Sequence, residues 1–191
     1  MARISSCLVD ACDIVLRSAR EFLGAPFSWM LTALVRASPE AGAFHGIRIM
    51  HYATESARKE FIEFVQQGLE LLSTVDTRRF QRVVENVRLV IEKPRSSRYV
   101  GSAIRLGHII RINTNRIQKD VTESLAVGKC ACVLVHEATH LMLMRKGIFR
   151  LPSNKHRVET FCIREELRFA HKLKAPALTA WVHRKLLRPL G

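Results

Sequence analysis

The sequence is short of acid and has no long uncharged run and no paired-cysteine motif. Only 17 Asp and Glu stand against 31 Lys and Arg, a formal net charge of +14, and so basic a surface favours an anionic partner. The longest stretch free of charge, Phe22 to Val35, has 14 residues; a helix of that length is too short to span a bilayer. It reads as a buried helix or helix pair, or as an interfacial helix flanked by Arg17, Arg20 and Arg36. Five cysteines form no CxxC pair, and an odd count cannot be closed by internal disulfides, which points to a reducing compartment and a cytoplasmic location. At the N-terminus, Asp10 and Asp13 interrupt MARISSCLVDACD, so no secretory signal is expected. Repeats, low-complexity tracts and Pro/Gly-rich linkers are missing too, which leaves one domain over residues 1–191.

What is present is unevenly placed. Residues 1–92 carry 11 basic and 11 acidic side chains and residues 93–191 carry 20 and 6, so the whole surplus belongs to the second half. The hydrophobic pattern predicts helices between residues 7 and 37, a short strand in GIRIMHYA and an amphipathic helix over 54–73. Phe61, Val65, Leu69 and Leu72 form the apolar face of that helix. Asp76 is placed to cap a further helix running to Val87. The period then changes to two, predicting strands between 87 and 113 with Gly107 and His108 as a hairpin turn or as part of one bent edge strand. A long apolar helix follows, with Asp120 as N-cap and Gly147 as C-cap, then a helix from about 156 to 173 and a last one opened by Pro176. The fold class is therefore α+β and predominantly helical. Its expected parts are a helical N-terminal part with a short strand over 1–85, a core over 87–173 and a basic C-terminal helix over 174–191.

In the middle of the apolar helix His136, Glu137, Ala138, Thr139 and His140 spell HExxH. Residues four apart share a helix face, so both imidazoles can reach one Zn²⁺ at about 2.0 to 2.1 Å. Glu137 projects about 100° around the helix from His136, beside the metal, where a general base must stand. Composition alone yields such a pattern on the order of 0.02 times in a chain of this makeup, so chance is a poor explanation. The flanks Val133 to Val135 and Leu141 to Met144 make the helix apolar nearly all round. Two imidazoles and a carboxylate inside it need compensation, which a metal ion supplies. The competing reading is a pair of hydrogen-bonded core histidines with Glu137 ion-paired to an arginine.

Eighteen residues separate His140 from Glu159. Across residues 100–166 the sequence resembles the gluzincin zinc metallopeptidases, thermolysin-like and aminopeptidase-like, whose HExxH is followed at this distance by a ligand Glu. The resemblance implies one zinc ion held by His136, His140 and Glu159, with Glu137 as general base for a zinc-bound water that hydrolyses a peptide bond. Glu165 and Glu166 are alternative third ligands, and Glu166, two turns along the face of Glu159, is also a candidate to support the ligands from behind. It further implies a zincin-like fold, a small and mostly antiparallel sheet over the buried active-site helix. An edge strand there holds the substrate backbone, a place suited to the strand-like run ending HIIRIN. His156, Tyr99, Tyr52 and His108 are candidate oxyanion stabilisers. Cys130, Cys132 and Cys162 flank the ligands, and burial as small hydrophobes is the simpler expectation for them.

The positive surplus lies in the same half as the motif, so an acidic peptide or protein substrate is expected, and the field is expected to help keep Glu137 ionised. A second class of function is a basic nucleic-acid-binding or anionic-surface-binding protein with a structural or vestigial metal. Its support is the acid-free segment 167–191, with Arg168, Lys172, Lys174, Arg184, Lys185 and Arg188, and the KPRSSR stretch with Lys93, Arg95 and Arg98. No zinc-finger or RNP-like signal accompanies that charge. A third reading, an interaction protein, presses Phe22 to Val35 against a partner.

Overall fold

A computed structural model describes residues 42–51, 55–93, 97, 99–119 and 121–187. The helices expected between 7 and 37, the run Phe22 to Val35, and Tyr52, Arg95, Arg98, Asp120 and Arg188 lie outside the described residues. In chain order the elements are β1 (Gly42–Phe44), β2 (Ile47–Met50), α1 (Glu55–Val75), α2 (Thr77–Asn86), β3 (Leu89–Glu92), β4 (Gly101–Ile104), β5 (Ile109–Ile112), α3 (Thr114–Gln118), α4 (Glu123–Arg145), α5 (Lys155–Lys172) and α6 (Pro176–Leu186). The molecule is α+β and mostly helical.

Local chemistry explains most of the boundaries. The Asp76 side chain accepts the Arg79 backbone N–H and caps α2, and the Asn113 side chain accepts that of Arg116 at the start of α3. The motif helix α4 starts after Thr122 and stops where Gly147 turns left-handed at φ +77°. Gly107 and His108, at φ +78° and +54°, make the β4–β5 hairpin turn. On α1 the predicted face is the buried one, with Phe61, Val65, Leu69 and Leu72 all inside.

The five strands form one sheet in the order β1-β2-β3-β5-β4. The outer pairs β1/β2 and β4/β5 are antiparallel, whereas β2/β3 and β3/β5 are parallel. The sheet is thus mixed and not mostly antiparallel as expected. Between β2 and β3 the chain returns through α1 and α2, and such a crossover brings strands in parallel, which a tight hairpin cannot do. Alternation along the strands separates two faces. Ile47, Ile49, Val90, Ile110 and Ile112 join the main core under the helices, while Met50, Leu89, Ile91 and Ile109 cluster on the other side. Helix α4 runs through the main core and packs on α1, α2, α5, β4 and β5. The helices before residue 86 and the motif helix therefore share one hydrophobic core.

Candidate metal centre

Fifteen of the 23 residues of α4 are buried, Glu137 and His140 among them. Its one-sided spacing brings His136 and His140 together at 3.0 Å between their Nε2 atoms. Helix α5, returning antiparallel after the loop 146–154, adds Glu159. One carboxylate oxygen lies 3.4 Å from His136 Nε2 and the other 3.5 Å from His140 Nε2. Four donors around a tetrahedral zinc at about 2.0 to 2.1 Å stand roughly 3.3 to 3.4 Å apart. The two imidazoles and Glu159 present that spacing already.

Charge tells the same story as distance. Three carboxylates, Glu137, Glu159 and Glu166, surround His136. Burial alone would lower the pKa of His136, yet Glu166, Glu159 and Glu137 outweigh it and push it up to about 10. Burial likewise opposes ionisation of Glu159, but both histidines hold its carboxyl well below the usual range. Two imidazoles and a carboxylate are a donor set able to hold a metal ion. The one buried histidine nitrogen without a hydrogen bond among the described residues, His136 Nδ1, faces Glu166 at 3.6 Å.

Glu166 is fully buried, and Lys185 of α6 holds both its oxygens, at 2.7 and 3.0 Å, with the ammonium 3.8 Å from the centre of the Trp181 ring. Burial works against its ionisation, and Lys185 and His136 overcome that and lower its pKa. Glu165, the other alternative ligand, is committed elsewhere. Arg82 reaches its carboxylate at 2.6 Å and Arg79 at 3.1 Å, and Arg168 also pairs with it. Cys162 is a further neighbour, its sulfur within 4.8 Å of ligand atoms of His136 and His140. Packed with Leu143 and Val158, its thiol is pushed upward by burial and by the adjacent carboxylates.

Glu137 is buried beside the two histidines. Contrary to the expectation drawn from the net charge, its pKa is raised: burial dominates and exceeds the relief given by His136 and His140, and Glu159 and Glu166 add smaller pushes in the same upward direction. The basic surplus sits in water, where it is screened. Directly above Glu137 runs β4, the last strand of the sheet, so the edge over the site is Gly101–Ile104, in the first part of the strand-like run that ends HIIRIN, while Ile109–Ile112 form β5 one strand inward. A Cβ on Gly101 would stand 2.6 Å from Glu137 Oε1 and 2.7 Å from Val133 Cγ1. Gly101→Ala should therefore cost about 1 to 3 kcal/mol of stability by overpacking, read by urea unfolding; an unchanged midpoint would mean that the strand simply lifts.

Other predicted groups are scattered. His108 Nδ1 contacts the Asn86 carbonyl at 3.0 Å, at the turn end of the hairpin. Tyr99 is exposed, with Lys93 over its ring, and His156 is exposed on the first turn of α5. A cation not singled out from the sequence is the one that reaches Glu159: Arg150, from the α4–α5 loop, lies 2.7 Å from its carboxylate. Nothing local marks Arg150 among 31 basic residues. Lys185 did carry a signal, as part of the acid-free C-terminal segment. Compared with known proteins, the chain matches no family model, no curated sequence and no solved structure.

Proposed function

We propose that the chain is a zinc-dependent metallopeptidase of gluzincin-like type, built on a zincin-like arrangement of helix and edge strand. The observation that carries this reading is the convergence of His136, His140 and Glu159 at 3.0 to 3.5 Å, with Glu137 beside them. Those three residues would hold one zinc ion, which would polarise a carbonyl and ease the loss of a proton from an attacking water. Glu137 would accept that proton as the water attacks and return it to the leaving amine. Glu166, fixed by Lys185 and 3.6 Å from His136 Nδ1, is the carboxylate placed to take up that nitrogen's proton and set the ring for ligation through Nε2. Edge strand β4 offers its backbone to an extended peptide, and the bare Gly101 lets that strand lie against Glu137. The surplus of cations in the second half of the chain favours an acidic substrate.

The nucleic-acid reading is less well supported. Within the C-terminal basic segment Arg168, Lys172 and Lys185 are paired with Glu165, Asp76 and Glu166, so half of the six cations singled out there serve the fold. No helix among the described residues is long and apolar enough to cross a membrane.

Zinc analysis of the purified chain tests the site. The wild type should hold one zinc, His136→Ala and Glu159→Ala should lose it, and Cys162→Ser should keep it. A folded, metal-free wild type would sink the reading. Loss in Cys162→Ser with retention in Glu159→Ala would move the third ligand to the thiol.

A further inference from the structure

Two neighbouring loop tips beside the candidate site carry exposed apolar side chains among cations. The α4–α5 loop is exposed at every residue from 145 to 153, and on it Ile148, Phe149 and Leu151 are 44%, 37% and 54% exposed. Three large hydrophobic residues of four are costly to leave in water on a projecting tip. From Arg145 to Arg157 there are five Lys and Arg and no Asp or Glu. The β4–β5 turn repeats the pattern with Arg105 and the half-exposed Leu106. The two tips touch, since the Arg105 guanidinium lies 4.7 Å from the Phe149 ring centre.

We propose that these tips form a docking surface for an anionic lipid bilayer. Side chains that project from a tip insert into the boundary between headgroups and acyl chains, while cations around them stay level with acidic headgroups. A nucleic acid would meet the cations and leave Ile148 and Leu151 unused. A peptide groove would place such residues on facing walls and would not expose a continuous run of nine. Arg150 ties the loop to Glu159, so a bilayer on the tips lies next to the candidate site. Docking itself needs no metal and goes beyond the peptidase reading.

Sedimentation of the full chain with vesicles tests this. It should bind phosphatidylcholine vesicles containing phosphatidylglycerol, bind phosphatidylcholine alone far less, and release as salt rises. Combined Ile148→Ser, Phe149→Ser and Leu151→Ser should weaken binding by roughly tenfold or more, with circular dichroism and Tm unchanged because the side chains are exposed; Phe149→Ser alone gives a smaller loss in the same direction. Chelator should change nothing; a folded wild type that is zinc-free as purified yet binds vesicles refutes the metal reading and leaves docking standing. Docking is overturned if the wild type ignores anionic vesicles or if the triple variant binds as well as the wild type. It is equally overturned if the triple variant loses affinity for soluble peptides while vesicle binding persists.

Discussion

Glu137→Gln should lower the rate of peptide hydrolysis by about 10²- to 10⁴-fold while zinc content stays near that of the wild type. The substitution keeps shape and hydrogen-bonding reach but cannot accept a proton, which is the role assigned to this side chain. Glu137 lies beside the proposed ligands His136, His140 and Glu159, and its carboxylate abuts Gly101. Retained metal is therefore the expected companion of lost turnover. Stability should hold as well or rise, because Gln removes one of three carboxylates crowded into a buried site. Turnover within tenfold of the wild type at equal zinc would remove Glu137 from the chemistry. Loss of zinc together with activity would make it a ligand.

The second large effect concerns the fold. Glu165→Ala should destabilise the chain by about 3 to 5 kcal/mol, the usual consequence of removing one partner from a buried ionic cluster. Arg79 and Arg82 both reach Glu165, and Arg79 also donates to the Glu165 backbone carbonyl at 3.1 Å. Arg79 is paired at the same time with the buried Asp76, to which Lys172 adds a contact at 3.1 Å. The cluster ties α2 to α5, and through the Arg82 contact to Thr139 at 3.2 Å it reaches the motif helix. Without Glu165 two guanidinium groups lose their shared carboxylate. Denaturant unfolding that changes by less than about 1 kcal/mol would show that water takes its place.

The pH dependence has a fixed sign. Burial opposes ionisation of Glu165 and of Asp76, but the arginines around the one and Arg79 with Lys172 around the other lower both pKa values below the ordinary 4.5 and 3.8. Groups with depressed folded values stabilise fully above their unfolded pKa and lose that stabilisation as pH falls through the folded one. Stability should therefore drop below about pH 4.5, and the drop should be shallower in Glu165→Ala.

Several of these features were readable from residue order because they depend on neighbours along the chain. HExxH places two imidazoles on one face by helix geometry alone. Asp76 caps α2 through a side chain three residues from its partner, and the apolar face of α1 follows from its period. Glu159 entered through a spacing resemblance, and the loop and helix between supply the physical link. Edge strand β4 was not separable from β5, since both alternate and only pairing decides which lies outside. Parallel pairing was equally hidden, because the route of α1 and α2 across the sheet sets strand direction.

The difference between the two carboxylates next to each other in sequence is the sharpest case. Glu165 and Glu166 look alike as letters, and either was an alternative ligand. One turns to Arg79 and Arg82 and holds the fold, while the other turns to His136 and Lys185. Sequence determined which groups can bind a metal and on which helices they stand, because i, i+4 spacing and apolar periodicity are local properties. Tertiary structure decided which distant cations Glu165 and Glu166 meet, because an ion pair forms only where packing brings opposite charges within a few ångströms, and Arg79 and Lys185 lie 86 and 19 residues from them.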